Sequence, residues 1–64
     1  MEDEGFVDDG FIEATAWEFF GRHGDQCVSM LQRLAEAADR AGDLTAAQTW
    51  RAIAEAAGRI VSRG

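Results

Sequence analysis

The stretch DRAGDLTAA, residues 39–47, joins two segments of helical periodicity and leaves only Gly42 and Asp43 between them. Glycine suits the left-handed backbone that ends many helices, and aspartate accepts hydrogen bonds from the free N–H groups of a helix start. Two helices joined by so short a connection have few alternatives to running antiparallel. The sequence therefore predicts a helical hairpin in the C-terminal half of the chain.

Apolar residues recur at helical spacing on both sides of this connection, over residues 25–41 and over residues 43–62. Asp25 is the expected N-cap of the first of these two helices. The first of these helices is expected to have one apolar face, which consists of Cys27, Met30, Leu31, Leu34, Ala37, Ala38 and Ala41. The second is expected to present Ala46, Trp50, Ile53, Ala57, Ile60 and Val61. We expect the two helices to pack through Leu31, Leu34 and Ala38 against Trp50, Ile53 and Ala57.

A further helix is predicted over residues 9–21, begun by Asp8 or Asp9 and ended by Gly21 and Gly24. Its expected apolar face consists of Phe11, Ile12, Thr15, Ala16 and Phe19, with Phe20 at the edge. No segment alternates with a period of two, so no sheet is expected. The predicted fold is all-α: an acidic, flexible leader over residues 1–8, then a small three-helix domain over 9–64 with a C-terminal antiparallel helical hairpin.

The length and the net charge of the chain exclude some classes of function. A chain of 64 residues buries only about 60% of its unfolded surface, so its own core is expected to give marginal stability. The net charge of −6 divides into −7 over residues 1–18 (seven acids, no base) and +1 over residues 19–64 (five acids, six arginines). This balance argues against nucleic-acid binding, which needs a basic face.

No apolar run is long enough for a membrane span, and the acidic start is unlike a signal peptide, so a cytoplasmic location is expected.

The stretch FFGRHGDQC, residues 19–27, contains the only histidine and the only cysteine, His23 and Cys27. A zinc site takes three or four protein ligands, and the chain offers no second His or Cys. Cys27 lies within the predicted apolar face, which favours a buried, unreactive thiol over a nucleophile. We therefore interpret the stretch as a turn between helices and expect no catalytic residue, no metal and no cofactor.

Trp17 lies off the predicted apolar face of its helix, beside Glu13 and Phe20. Such a tryptophan either buries against a neighbouring helix or stays exposed, and exposed aromatic residues often anchor interfaces. Phe6, in the acidic leader, is a second exposed aromatic candidate. We predict that Phe6, Glu13, Trp17 and Phe20 bind a partner.

The chain also carries four short elements in a familiar order: Ala16-Trp17, His23-Gly24, Ala41-Gly42-Asp43, and Trp50 seven residues past that aspartate. In these it resembles a family of short uncharacterised alphaproteobacterial proteins, seen especially in sphingomonads. The resemblance covers about residues 14–60. It implies a bacterial protein but no activity, because the family has none established, and the acidic leader departs from the family pattern.

Together these observations predict a non-enzymatic protein–protein interaction module that acts as a small regulator or inhibitor. The expected partner is another protein or a second copy of the chain in a homodimer that uses the first helix. An alternative is a phage-type inhibitor or nucleic-acid mimic, although its acids should then spread over a folded face. A third hypothesis, a helix-turn-helix module reading DNA through Thr45, Gln48 and Arg51, conflicts with the acidic balance.

Overall fold

A computed structural model describes residues 9–63, and over this range every regular element is a helix. The elements are α1 (Asp9–His23), a short 3-10 helix (Gly24–Gln26), α2 (Cys27–Arg40) and α3 (Leu44–Arg63). No strand occurs within residues 9–63, which confirms the all-α class. The predicted leader, residues 1–8, lies outside the described residues.

The connection between α2 and α3 has the local geometry that its sequence predicts. Gly42 adopts a left-handed backbone with φ of 82°. Its N–H donates to the Asp39 carbonyl at 3.0 Å, and the Asp43 N–H donates to the Ala38 carbonyl at 2.9 Å, the pair of bonds that closes a Schellman motif. Asp43 Oδ1 then accepts the Ala46 N–H at 3.1 Å and caps the start of α3. One helix therefore ends and the next begins within three residues.

Helix α3 is the centre of the fold, because both α1 and α2 pack against it and contact each other far less. Glu13 near the start of α1 pairs with Arg59 near the end of α3, and Phe19 contacts Trp50 in the first half of α3. These two contacts show that α1 and α3 run in opposite directions. The buried core consists of Ala16, Cys27, Leu31, Ala35, Ala47, Ile53, Ala54, Ala56, Ala57 and Ile60.

The core of α2 differs from the prediction by a rotation of the helix. Leu34, expected against α3, is 37% exposed, and Met30 is 36% exposed. Ala35, absent from the predicted face, is buried at 3% exposure, and it lines the same surface depression as Ala54 of α3. Alanine on both helices permits close approach, which leaves the longer Leu34 side chain beside the contact instead of within it.

Two details of the first half also correct the prediction. Phe11 is 53% exposed, so the buried side of α1 is centred on Ala16, with Ile12, Phe19 and Phe20 packed around the core. Helix α1 continues past Gly21 and ends at His23, and Gly24 follows it with a φ of 63°. Asp25 does not cap α2, because it lies inside the 3-10 helix that follows Gly24.

Candidate functional site

The three described members of the predicted partner-binding set lie together on one side of α1. Glu13, Trp17 and Phe20 are spaced four and three residues apart, an interval that stacks side chains on one helix face. We call this surface the Trp17 face. Phe6, the fourth member of the predicted set, lies outside the described residues.

Trp17 is the exposed centre of this face. Its side chain remains 49% exposed, so the prediction that it lies off the buried side of α1 is confirmed. The Trp17 and Phe20 rings stand edge to face, with centroids 6.0 Å apart and an interplanar angle of 84°. Phe20 is half-buried and packs against the core. The core therefore fixes Phe20, and Phe20 in turn supports the exposed indole in an arrangement that aromatic pairs prefer.

Ion pairs border the Trp17 face. The Glu13 carboxylate lies 3.7 Å from the Arg59 guanidinium of α3, and the Glu18 carboxylate lies 3.6 Å from Arg22 one turn along α1. All four side chains are more than half exposed, so each pair contributes little to stability. An exposed aromatic residue with charged groups around it has the composition of a protein-binding site, in which Trp and Arg carry much of the binding energy.

The structure places His23 and Cys27 in different surroundings. Cys27 is fully buried in the core with a free thiol, whereas His23 is exposed and its ring lies 5.9 Å from that of Phe19. In the part of the chain that the structure describes, no three His, Cys, Asp or Glu side chains are grouped so that they could hold a metal ion. Within this stretch, residues 19–23 belong to α1, residues 24–26 form the 3-10 helix, and Cys27 begins α2.

Two of the three arginines of α3, Arg51 and Arg59, pair with carboxylates of neighbouring helices. Arg51, one of the three residues of the helix-turn-helix hypothesis, donates to Asp39 of α2 at 3.2 Å. Arg59 pairs with Glu13 of α1. These contacts join α3 to each of its neighbours and bring a carboxylate next to the guanidinium groups of Arg51 and Arg59.

A second exposed apolar surface was missed by the sequence analysis, which placed its residues in the core. It runs along α2 and consists of Met30, Leu34, Ala37 and Ala41. We call it the α2 stripe. The sequence contained one indication of this exposed surface. The predicted apolar face of α2 holds seven residues, and a face that wide is broader than the surface that one neighbouring helix can cover.

Comparison of the chain with protein-family models, with curated proteins and with solved structures gives no match. The resemblance to short alphaproteobacterial proteins therefore stays a prediction. Over residues 9–63, no helix has the length and apolar character needed to cross a membrane.

Proposed function

We propose that this chain is a non-enzymatic protein–protein interaction module, a small cytoplasmic regulator or inhibitor that binds its partner through the Trp17 face. One observation carries the proposal: most of the buried side chains are small, whereas a tryptophan stays half exposed. Among the residues that the structure describes, six of the ten buried ones are alanine (Ala16, Ala35, Ala47, Ala54, Ala56 and Ala57), whereas Trp17 remains half exposed. Exposed aromatic surface on a small domain is typical of a site that another protein covers.

The free energy available at Trp17 is large for a chain of this size. A tryptophan side chain buries about 150–250 Å² when it is fully covered, so the exposed half amounts to about 100 Å². Covering that area contributes about 2.5 kcal/mol at the usual transfer coefficient. Phe20 holds the indole in place before binding, so a partner loses less rotamer entropy on ordering it.

The scaffold that we propose for this face is a three-helix domain whose last two helices form an antiparallel hairpin. The Gly42–Asp43 connection and the 3.2 Å contact between Asp39 and Arg51 support the antiparallel arrangement. The Glu13–Arg59 pair joins α1 to α3 as well. A rigid helix presents Trp17 more reproducibly than a loop would.

The first partner to test is a second copy, because a twofold homodimer is the commonest closed assembly. Sedimentation velocity of the full chain over a wide concentration range should show a dimer. Trp17→Ala should shift the chain to the monomer while leaving its helical circular dichroism unchanged, because the indole is not part of the buried core. Gln48→Ala, a substitution on the exposed side of α3, serves as the control and should leave the dimer intact.

If sedimentation shows only a monomer, the expected partner is a different protein, and the test becomes a search for that protein. Tagged wild-type chain should then retain a protein from cells of its source organism, and the Trp17→Ala chain should lose it. A monomer that retains no Trp17-dependent protein would contradict the proposed function.

A further inference from the structure

Helix α1 is apolar on the side that faces away from the core as well as on the side that faces it. Ala16 is fully buried, whereas Phe11 and Trp17 are 53% and 49% exposed. Ala14 and Gly21 are also exposed, and helical spacing places them between those two aromatic residues on the outer side of the helix. We call these four residues the α1 outer face. A helix that is apolar on all sides is normally covered on all sides.

The α1 outer face combines large side chains with small ones. Phe11 and Trp17 project from it, whereas Ala14 and Gly21 leave the helix backbone open to close approach. No atom lies within 4 Å of the position that a Cβ at Gly21 would take. The face therefore carries two projections and two shallow places.

These projections and shallow places match each other when two copies of α1 lie antiparallel. With Trp17 level with Ala14 of a second copy, the residue level with Phe11 is Phe20 of that copy, one position before its Gly21. One position along a helix is about 1.5 Å, so each aromatic side chain meets a small residue. A twofold interface requires such a surface, because the same residues must supply both halves of every contact.

The charges of α1 favour the same orientation. The helix begins at an acid, Asp9, and has Arg22 and His23 in its last turn. Antiparallel helices bring the acidic start of each copy beside the basic end of the other, whereas parallel helices would bring like charges together. The two starts then lie about 22 Å apart, the length of a helix of 15 residues. That distance exceeds the Debye length of about 8 Å at physiological salt.

The two acids beside the α1 outer face are already paired within the chain. The Glu18 carboxylate lies 3.6 Å from Arg22, and the Glu13 carboxylate lies 3.7 Å from Arg59 of α3. A second copy therefore meets two ion pairs at this face and no uncompensated carboxylate from either residue.

We propose that the α1 outer face binds the same face of a second copy in antiparallel orientation, with Trp17 of each chain over Ala14 of the other. This inference rests on the proposed function, because Trp17 belongs to both surfaces, and it adds the identity and the orientation of the partner. One pair of short helices gives an interface at the small end of the known range, so the dimer is weak.

Filling the shallow place at Gly21 tests the contact. Gly21→Leu should fold at least as stably as the wild-type chain, because leucine favours a helix and no atom occupies the added space. It should raise the dimer dissociation constant at least tenfold, because the leucine stands where Phe11 of the second copy packs. Gly58→Leu, at an equally open glycine of α3, is the matched control and should leave the dimer intact. Sedimentation equilibrium over about 10 μM to 1 mM covers the range of a small interface.

Disulfide formation tests the orientation. Full chains carrying Gly10→Cys and full chains carrying Gly21→Cys are mixed in a thiol–disulfide buffer, in which Cys27 stays buried and protected. Position 10 of one copy is level with position 21 of the other, so the mixed disulfide should clearly exceed the half that random pairing gives. Each variant alone places its two thiols about 16 Å apart along the helices, too far to bond.

A dimer that survives Gly21→Leu, or disulfides that form within each variant instead of between them, would overturn the proposal. A chain that stays monomeric up to about 1 mM would overturn it as well. In each of these cases, Trp17-dependent capture of a different protein would still support the proposed function, so the two failures can be told apart.

Discussion

Leu31 and Leu34 show, at the scale of single residues, how far periodicity specifies a core. Both belong to the apolar face predicted for α2, yet Leu31 is fully buried and Leu34 is not. Periodicity gives the side of a helix that is apolar, but the arc that makes contact depends on how closely the neighbour approaches. Here alanines on α2 and α3 allow a contact through Ala35, and no pattern within α2 alone contains that information.

Substitutions at these two leucines test the rotation of α2. Leu31→Ala should lower the free energy of unfolding by about 2–5 kcal/mol, because it leaves a cavity in the core. Leu34→Ala should cost about 1 kcal/mol, because part of its surface is already in water. Urea denaturation of both variants measures the difference. Equal costs would place Leu34 in the core and contradict the described packing.

Cys27 offers a second test at this scale, because its thiol is buried among apolar side chains. Cys27→Ala should lower the free energy of unfolding by about 1 kcal/mol, the cost of a small cavity. Cys27→Ser should cost more, about 1–3 kcal/mol, because it buries a hydroxyl group in an apolar site. Thermal unfolding with and without a chelator completes the measurement. A chelator-dependent melting temperature would mean that a metal bound by Cys27 stabilises the fold.

At the scale of elements, the two connections differ in how well the sequence specifies them. Gly42 and Asp43 each act within a few residues, through a left-handed backbone and a side-chain cap, so their roles could be predicted. The connection after α1 could be predicted only as a turn. Asp25 is an equally good capping residue by type, but a 3-10 helix carries the chain directly into α2, and no side-chain cap forms.

Two glycines provide a matched pair of substitutions. Gly58 lies inside α3 with no atom within 4 Å of the position that a Cβ would take. Gly58→Ala should therefore raise the free energy of unfolding by about 1 kcal/mol through helix propensity alone. Gly42→Ala should lower it by about 1–2 kcal/mol, because φ of 82° is strained for a side chain. Urea denaturation measures both, and a destabilising Gly58→Ala would indicate that a close contact covers this glycine.

At the scale of the whole molecule, the candidate site was partly predictable. The position of Trp17 off the buried side follows from the helical spacing of α1, and so does its neighbour Phe20. The Glu13–Arg59 pair joins residues 46 positions apart in the sequence, so no local pattern reveals it. The α2 stripe was hidden for a related reason: its exposure depends on which part of α2 the other two helices cover.

The central prediction for this protein is that the Trp17 face binds another protein chain. Its most direct test replaces Trp17 with the photoreactive residue benzoylphenylalanine in the full chain, inside cells of the source organism. Irradiation should give a discrete cross-linked product, with a second copy or with another protein. The same residue at position 48, exposed on α3, should not give this product. No product at position 17, or the same products from both positions, would contradict the claim that this face is a binding site.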